Sequence, residues 1–480
     1  MRQKIIGRKY EQSELQHLKE SGSPELVAVY GRRRVGKTFL IREFFQNQFV
    51  FYHTGVSPLE IKGNQLSKRQ LEEFYVSLRE YGLKDITCPT TWPEAFRMLR
   101  QLVEKQRGEG KKVVFLDEFP WMDTPRSGFI TAFEHFWNGW ASSRSDLLLI
   151  VCGSATSWMK DTLLNNKGGL YGRVTYHLKL TPFSLLECEE FLKDKRVELD
   201  RYDIVQSYMA VGGIPYYLNY FRSGFSLAQN IDRIYFAKNA PLRGEFERLF
   251  ASLFGNPEDS KAIVKLLASR RYGFSRKEIA DKLNMTSGGT LTKTLSALTN
   301  SDFITSYVPL DRRKETYYKL TDNFSLFYLN FIEKKRSNDE SFWQHSALSP
   351  AITSWQGFAF EDVCFAHPRQ IKAALGIAGI QTNISSLIIA KDEHQSGMQI
   401  DMLIDRADRV INLCEIKYCN QEFVIDKIYE EKLRYRAERI RELTKNKRNI
   451  HLTLITTFGL RYNEYSGRIQ QTITMDDLFA

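Results

Sequence analysis

Long apolar runs are missing from this sequence. Nowhere do its 480 residues approach the roughly 18 consecutive apolar positions that a bilayer-spanning helix needs. The opening MRQKIIGRKYEQ also lacks the apolar core of a secretory leader. Both absences lead to the expectation of a cytoplasmic protein that stays off the membrane. Cysteine is scarce and scattered: Cys88, Cys152, Cys188, Cys364, Cys414 and Cys419 form no CxxC pair. No cysteine-built zinc site is therefore expected, and several of these thiols lie in apolar runs where they behave as small hydrophobes. None of the eight histidines stands in ligand spacing. No Ser-His-Asp order, nucleophile elbow, internal repeat or low-complexity tract occurs.

At roughly 150 residues per domain, the length corresponds to about three folding units. A hydrophobic content of 42% excludes a disordered chain. Against 57 Asp and Glu stand 68 Lys and Arg, a net charge of +11. That excess suits nucleic acid, anionic lipid or plain solubility equally, so motifs must decide among them.

From residue 26 to 180, the apolar runs LVAVY (26–30), FVFY (49–52), VVFL (113–116), LLLIVC (147–152) and VTYHLKL (174–180) alternate with helical patterns. Phe129, Ile130, Phe133, Phe136, Trp137 and Trp140 recur at three- and four-residue steps, which places them on one helix face. Continuously apolar strands between amphipathic helices predict a parallel sheet covered on both sides, residues 1–183. Residues 184–256 read as a small helical domain interrupted at GGIP. Between 257 and 322, three helical patterns precede two β-rich runs around the basic turn DRRK, which is the order of a winged helix. Residues 323–350 read as a connector, and 351–480 as a second α/β unit with a basic helix, KIYEEKLRYRAERIRELTKNKR.

Directly after the first strand comes GRRRVGKT, made of Gly31, Arg32, Arg33, Arg34, Val35, Gly36, Lys37 and Thr38, followed by an apolar helix start. The glycines let successive amides turn inward toward phosphate oxygens, and the helix N-terminus adds its partial positive charge. Lys37 would bridge the β- and γ-phosphates of ATP, and the Thr38 hydroxyl would ligate Mg2+. A second half of such a site is an acid at the end of a buried strand, and FLDEFPWM supplies Asp117 to hold Mg2+ and Glu118 to orient the attacking water. Ser154, in VCGSATSW, is placed to sense the γ-phosphate. Arg173, in LYGR, is a candidate to neutralise charge on the transferring phosphoryl group, in its own chain or a neighbour's.

Taken together, IIGRKYEQSEL, GRRRVGKT, FLDEFPWM, GSATSW, LYGR and GGIPYYL resemble the archaeal and bacterial ATPases of the STAND class, relatives of the AAA-type ATPases. The likeness covers about residues 5–320. It implies that Gly212 to Pro215 approaches the nucleotide base, and that the helical and winged-helix parts form a nucleotide-dependent lid. In that class the ATPase tends to act as a switch.

The same family often ends in a domain resembling the PD-(D/E)XK nucleases. Metal-assisted phosphodiester cleavage needs carboxylates around Mg2+ and a cation near the scissile phosphate. QIDMLIDRADRVINLCEIKY offers Asp401 on one strand, then Glu415 and Lys417 on the next. Residues two apart on a strand share a face, so Glu415 and Lys417 point together while Cys414 and Ile416 point into the core. Glu361, in WQGFAFEDVCF, fills the fourth position. In this reading Glu361, Asp401 and Glu415 hold metal and Lys417 stabilises charge. Similar acid-x-Lys pairs at Asp259–Lys261 and Glu430–Lys432 lie in helical patterns and read as surface charge. Lys293 on the third winged-helix segment, and Arg312, Arg313 and Lys314 in its turn, are candidate DNA contacts or protein-facing residues.

The expectation is a multidomain α/β protein: a P-loop parallel-sheet ATPase core, a helical lid, a winged helix and a C-terminal restriction-endonuclease-like domain. Its cofactors would be ATP and Mg2+. It would act as a switch controlling a domain that binds or cleaves nucleic acid, DNA first, with a homo-oligomer or protein partner gated by ATP. The competing expectation is a nucleotide-gated regulator that binds protein or DNA through a non-catalytic nuclease fold.

Overall fold

A computed structural model describes residues 4–58, 61, 64–165, 167–310, 315–334, 339–389 and 397–480. The chain divides into two compact units, Met1–Pro182 with Ala251–Gly255, and Phe183–Phe250 with Asn256–Ala480.

In the first unit, strands β1 (Glu25–Tyr30), β2 (Phe51–Thr54), β3 (Lys112–Asp117), β4 (Leu147–Gly153) and β5 (Tyr176–Lys179) form one parallel sheet in the order β2-β3-β4-β1-β5. Every residue of β1 and β4 is buried, the mark of strands covered on both faces. Helices Trp92–Lys105 and Phe129–Gly139 supply an aromatic layer in which Trp92 meets Phe129 at 4.6 Å between ring centroids. Phe129, Phe133, Phe136 and Trp137 are buried on that helix as its periodicity predicts, whereas Ile130 is only partly covered and Trp140 lies just past the helix end. Because β1 runs between β4 and β5, the loop leaving it opens at the carboxyl edge beside the ends of β3 and β4. In open α/β sheets that edge is where ligands bind.

The second unit begins with helices Leu185–Asp194 and Arg201–Val211. Ser184 and Glu187 close a capping box on the first. Gly212 and Gly213, at φ of 69° and 65°, end the second, and the Gly213 carbonyl accepts from Phe183 N–H at 2.8 Å. A side chain at Gly213 would collide with the Phe183 carbonyl, which explains the glycine at the GGIP break. Helices Pro257–Ala268, Arg276–Leu283 and Gly289–Asn300 then accompany a small antiparallel sheet of β6 (Phe274–Ser275), β7 (Ile304–Tyr307) and β8 (Tyr317–Leu320), in the order β6-β8-β7. The basic turn with Arg312, Arg313 and Lys314 lies outside the described residues.

The segment expected to be a connector is instead part of the core. Residues 323–332 are helical, as are Phe342–Ser346, and Phe324, Phe327, Leu329 and Trp343 are buried. Phe327 packs on Tyr235 and Trp343 at centroid distances of 4.6 and 5.0 Å. The Asp232 carboxylate accepts from the Trp343 and Gln344 amides at 2.7 and 3.1 Å. The aromatic spacing within NFSLFYLNFI outweighs the polar stretch that follows it.

The last part holds β9 (Thr382–Ile389), β10 (Met398–Arg406), β11 (Val410–Lys417), β12 (Phe423–Val424), β13 (Asn449–Thr456), β14 (Leu460–Arg461) and β15 (Ile469–Ile473). The sheet order is β15-β13-β11-β10-β9: an antiparallel meander of β9, β10 and β11 continues through parallel β13 and β15, while β12 and β14 pair separately. Helix Pro350–Ala366 lies against β11. Helix Lys427–Leu443 inserts Leu433, Ala437 and Ile440 among Leu413, Leu452 and Leu454.

One buried imidazole ties this part to the opening helices. His367 Nδ1–H donates to the Val363 carbonyl at 2.8 Å, and its Nε2 accepts from Leu185 N–H, an otherwise orphaned helix-start donor, at 3.0 Å. Burial pushes its pKa down from 6.5 to about 4. The unfolded chain therefore binds a proton that the folded chain refuses between those values, and stability falls as pH drops from 6.5 toward 4. Thermal unfolding between pH 7 and pH 4 should show a steeper fall for the wild type than for His367→Gln. That variant should itself lose about 1–3 kcal/mol at pH 7, because Leu185 N–H is left unpaired.

Candidate functional site

The loop after β1 is shaped by conformations that few side chains tolerate. Gly31 sits at φ 145°, and a Cβ there would be driven into the Leu180 carbonyl. Arg34 and Gly36 take φ of 74° and 91°, and Gly36 opens helix Lys37–Phe44 without a side-chain cap. The first amides of that helix are thus left for a ligand, and a Cβ at Gly36 would meet nothing within 4 Å. Lys37 is buried, and its Nζ curls back to donate to the Gly31 and Arg32 carbonyls, 3.0 Å each. Val35 is buried and Arg33 and Arg34 are half-buried, but Arg32 is only 1% exposed. It belongs to the interior of the loop and presents no free cation.

Arg8, to which the sequence reading gave no role, anchors this loop. Its guanidinium donates to the Val35 carbonyl at 3.2 Å and to the Thr181 carbonyl at 2.7 Å. The signal was the GRKYE stretch near the start, whose arginine is 4% exposed.

At the end of β3, Asp117 accepts through Oδ2 from Thr38 Oγ1 at 2.8 Å and through Oδ1 from Glu118 N–H at 3.0 Å. Burial raises its pKa against these hydrogen bonds. Glu118, at φ 44°, turns its carboxylate toward Ser154, whose Oγ donates at 3.0 Å. Burial raises its pKa as well, opposed chiefly by the Lys37 ammonium. Lys37, Thr38, Asp117, Glu118 and Ser154 therefore meet at one sheet edge. Arg173 is exposed in the turn before β5, and Pro215 starts the short helix Pro215–Leu218 in the second unit. The edge fits a nucleoside triphosphate with magnesium: uncapped amides, an ammonium hydrogen-bonded to main-chain carbonyls, and a hydroxyl beside a carboxylate as hard oxygen donors.

In the second unit, Asp401 on β10 and Glu415 and Lys417 on β11 come together. Asp401 Oδ2 accepts from Ile416 N–H at 3.0 Å and lies 3.5 Å from Lys417 Nζ, which is also 3.5 Å from Glu415 Oε2. Burial works against the Lys417 charge, but Asp401 and Glu415 outweigh it and raise its pKa. Glu415 is 1% exposed, accepts from Tyr429 Oη–H at 2.7 Å and is paired with Arg436. Glu361, on helix Pro350–Ala366, is pushed up to about 8 by burial and then by Asp401.

The three carboxylates expected to share a metal are not gathered as one donor cage. Among the described residues, no group of three or more His, Cys, Asp or Glu is arranged to hold a metal ion. The reason is internal neutralisation: Glu415 is engaged by Arg436 and Tyr429, Asp401 by Lys417, and burial favours a protonated Glu361. Magnesium does not fit this centre as it stands. On the basic helix, Arg436 turns inward to Glu415. Lys293 is exposed on helix Gly289–Asn300.

Residues 6–221 match the family model described as an ATPase domain predominantly from Archaea. That span takes in the loop, the acid pair and Ser154, and supports a nucleotide-binding ATPase in this part of the chain. Among curated proteins, the uncharacterized protein MJECL04 of Methanocaldococcus jannaschii is 27% identical over 367 residues, 75% of this chain and 76% of its own. Among solved structures, the Walker-type ATPase PABY2304 of Pyrococcus abyssi is similar at 20% identity and a TM-score of 0.48, over 68% of this chain and 96% of that one. The ORC2 protein of Aeropyrum pernix, in its ADPNP–ADP complexes, gives 13% and 0.43 over 72% and 96%.

Removing Arg436 leaves Glu415 charged, buried and without its strongest partner. Arg436→Met should cost about 3 kcal/mol in urea unfolding. Adding Glu415→Gln should recover most of the loss, since it removes the stranded charge.

Proposed function

We propose that the chain is an ATP-binding and ATP-hydrolysing switch whose second unit, through a winged helix at 257–322 and a nuclease-like domain at 351–480, engages nucleic acid, DNA first. The observation that carries the ATPase half is the joint geometry of Lys37 over its loop, Thr38 on Asp117 and Glu118 on Ser154. On binding, Lys37 exchanges the Gly31 and Arg32 carbonyls for phosphate oxygens, and the amides starting helix Lys37–Phe44 receive the remaining phosphate charge. Thr38 and Asp117 would hold magnesium, whose chemistry there is to neutralise charge on the phosphates. Glu118, released from Ser154, orients the attacking water. Arg173 supplies a neutralising cation, to its own nucleotide or to that of a second copy.

Support for the nuclease-like reading is the order of 350–456, two helices, the strands β9 to β12, a helix and β13, and the meeting of Asp401 within β10 with Glu415 and Lys417 at the end of β11. The regulator reading, in which this domain binds without cutting, is favoured by the pairing of Glu415 with Arg436.

Lys37→Ala should weaken ATP-analogue binding at least about tenfold by calorimetry, whereas Glu118→Gln should bind normally and lose turnover. Wild-type affinity in Lys37→Ala would remove the P-loop assignment. For the second unit, divalent-dependent cleavage of a labelled oligonucleotide that is lost in both Glu415→Ala and Lys417→Ala supports a nuclease. DNA retention on a gel without cleavage supports the regulator.

A further inference from the structure

On helix Pro350–Ala366, Ala351, Trp355, Phe358, Ala359 and Asp362 recur at three- and four-residue steps and so share one side. That side is covered by the end of helix Pro257–Ala268, by β8 and by the helical residues 323–332, and the covering leaves a cavity of about 300 Å³. Such a volume lies at the lower end of small-molecule pockets, about 300–1,000 Å³. Ala351 and Ala359 contribute to the space, since each presents only a methyl group to it. One wall is set in advance. Trp355 meets Phe327, Phe331 and Trp343 edge to face at centroid distances of 5.5, 5.0 and 5.9 Å, which fixes its indole. Asn330 Nδ2 donates to the Leu326 carbonyl at 2.8 Å, and its amide oxygen is left to accept. The charges of the lining do not cancel. Lys319 and Asp362, both below 10% exposure, are paired at 2.8 Å, and burial keeps Glu361 protonated by pushing its pKa up to about 8. Arg271 is left over. Its guanidinium lies over the Phe358 ring and, among the described residues, donates to no protein acceptor.

We propose that this cavity binds a small organic anion, a carboxylate or phosphate carried on a planar aromatic or heteroaromatic ring, with its head on Arg271 and its ring against Trp355. A guanidinium stacked on an aromatic face takes either head through two parallel hydrogen bonds. The ring replaces water along Leu326, Ala351 and Ala359, where water finds few partners. Aryl carboxylates and nucleoside monophosphates share this chemistry. A metal ion does not, because the surplus charge of the lining is positive. Since helix Pro350–Ala366 lies against β11 and the facing walls come from residues 257–332, the bound molecule ties those residues to the sheet that bears Glu415 and Lys417. The site does not depend on whether 351–480 cuts nucleic acid.

The test is calorimetry on the full-length protein with indole-3-acetate and AMP as probes and indole as the control without a head. At least one anion should bind with a Kd below about 1 mM, and indole at least about tenfold more weakly. AMP is scored in Lys37→Ala, so that binding at the phosphate loop does not count. Ala359→Leu fills the slot, and Arg271→Ala, at an exposed position, removes the partner of the head with little risk to folding. Each should weaken the anion at least about tenfold, while unchanged ATP-analogue affinity and an unchanged circular dichroism spectrum show that the chain is intact. Tighter binding of indole-3-acetate assigns an aryl carboxylate, and tighter binding of AMP a nucleotide. Failure of both anions to bind would overturn the site. So would wild-type affinity in either variant, or indole binding as tightly as the anions.

Discussion

Everything at the phosphate-binding edge depends on the close passage of Gly31 beneath the Leu180 carbonyl. Leu180 follows β5, and its own N–H donates to the Tyr30 carbonyl at 2.8 Å, so the chain leaving β1 is held against the chain leaving β5. Only a residue without a Cβ can turn there. That turn swings residues 32–36 over the sheet edge and starts helix Lys37–Phe44 with its amides facing outward. Arg8 fixes the same corner from outside the sheet by joining the Val35 and Thr181 carbonyls. Loop, helix start and the acid at the end of β3 are thus placed by main-chain geometry, and the side chains Lys37, Thr38 and Asp117 need only short reaches to meet.

Charge neutrality does for the second unit what steric closeness does for the first. Asp362 has Lys319, Glu415 has Arg436, and Asp401 has Lys417, each pair being at least partly buried. Desolvation makes an unpaired ion in such places costly, so acids and bases from distant segments are bound to appear together. This changes the meaning of the net +11. A share of the basic residues answers buried carboxylates rather than an external polyanion, and Arg32 lies within its loop. Charge counting alone therefore overstates the cationic surface open to nucleic acid.

Local features were legible in the sequence and long-range partners were not. The five strand runs of the first unit, the Gly31–Thr38 loop and the Asp117–Glu118 pair each carry their signal within a dozen residues, because buried parallel strands are continuously apolar and a phosphate loop needs its glycines in fixed places. Asp401, Glu415 and Lys417 were legible through strand alternation and hairpin spacing. Arg8, Lys319 and Arg436 were not: their partners lie 173, 43 and 21 positions away, and a long basic side chain reads locally as solvated. The basic helix illustrates the difficulty, since its mixed acids and bases suggest an exposed face while Arg436 turns inward to Glu415. The connector misreading has the same origin. Polar residues near 337–341 suggested a linker, while the aromatic residues on either side were recruited by Tyr235 and Asp232, about a hundred positions upstream.

The first helices of the second unit are tied to its C-terminal sheet. Helix Arg201–Val211 is not a loose flap. Tyr202 stacks on Tyr418 at 5.1 Å and 10° between planes, and also meets Phe458 at 5.3 Å. Arg201 donates to Asp476 at 2.8 Å and lies over the Phe479 ring, while Leu185 N–H is held by His367. Tyr418 is the residue after Lys417, so a shift of this helix relative to the C-terminal sheet would break a half-buried aromatic stack beside the acidic centre. Aromatic pairs of this kind add about 0.5–1.5 kcal/mol each beyond their area. Sliding the helix alone would forfeit several such contacts together, and the low-energy response is to carry β11 with it. The helices expected to sense nucleotide and the strand bearing Glu415 and Lys417 are therefore one mechanical body, joined covalently to the phosphate-binding unit where the chain crosses at 182–183, 250–251 and 255–256.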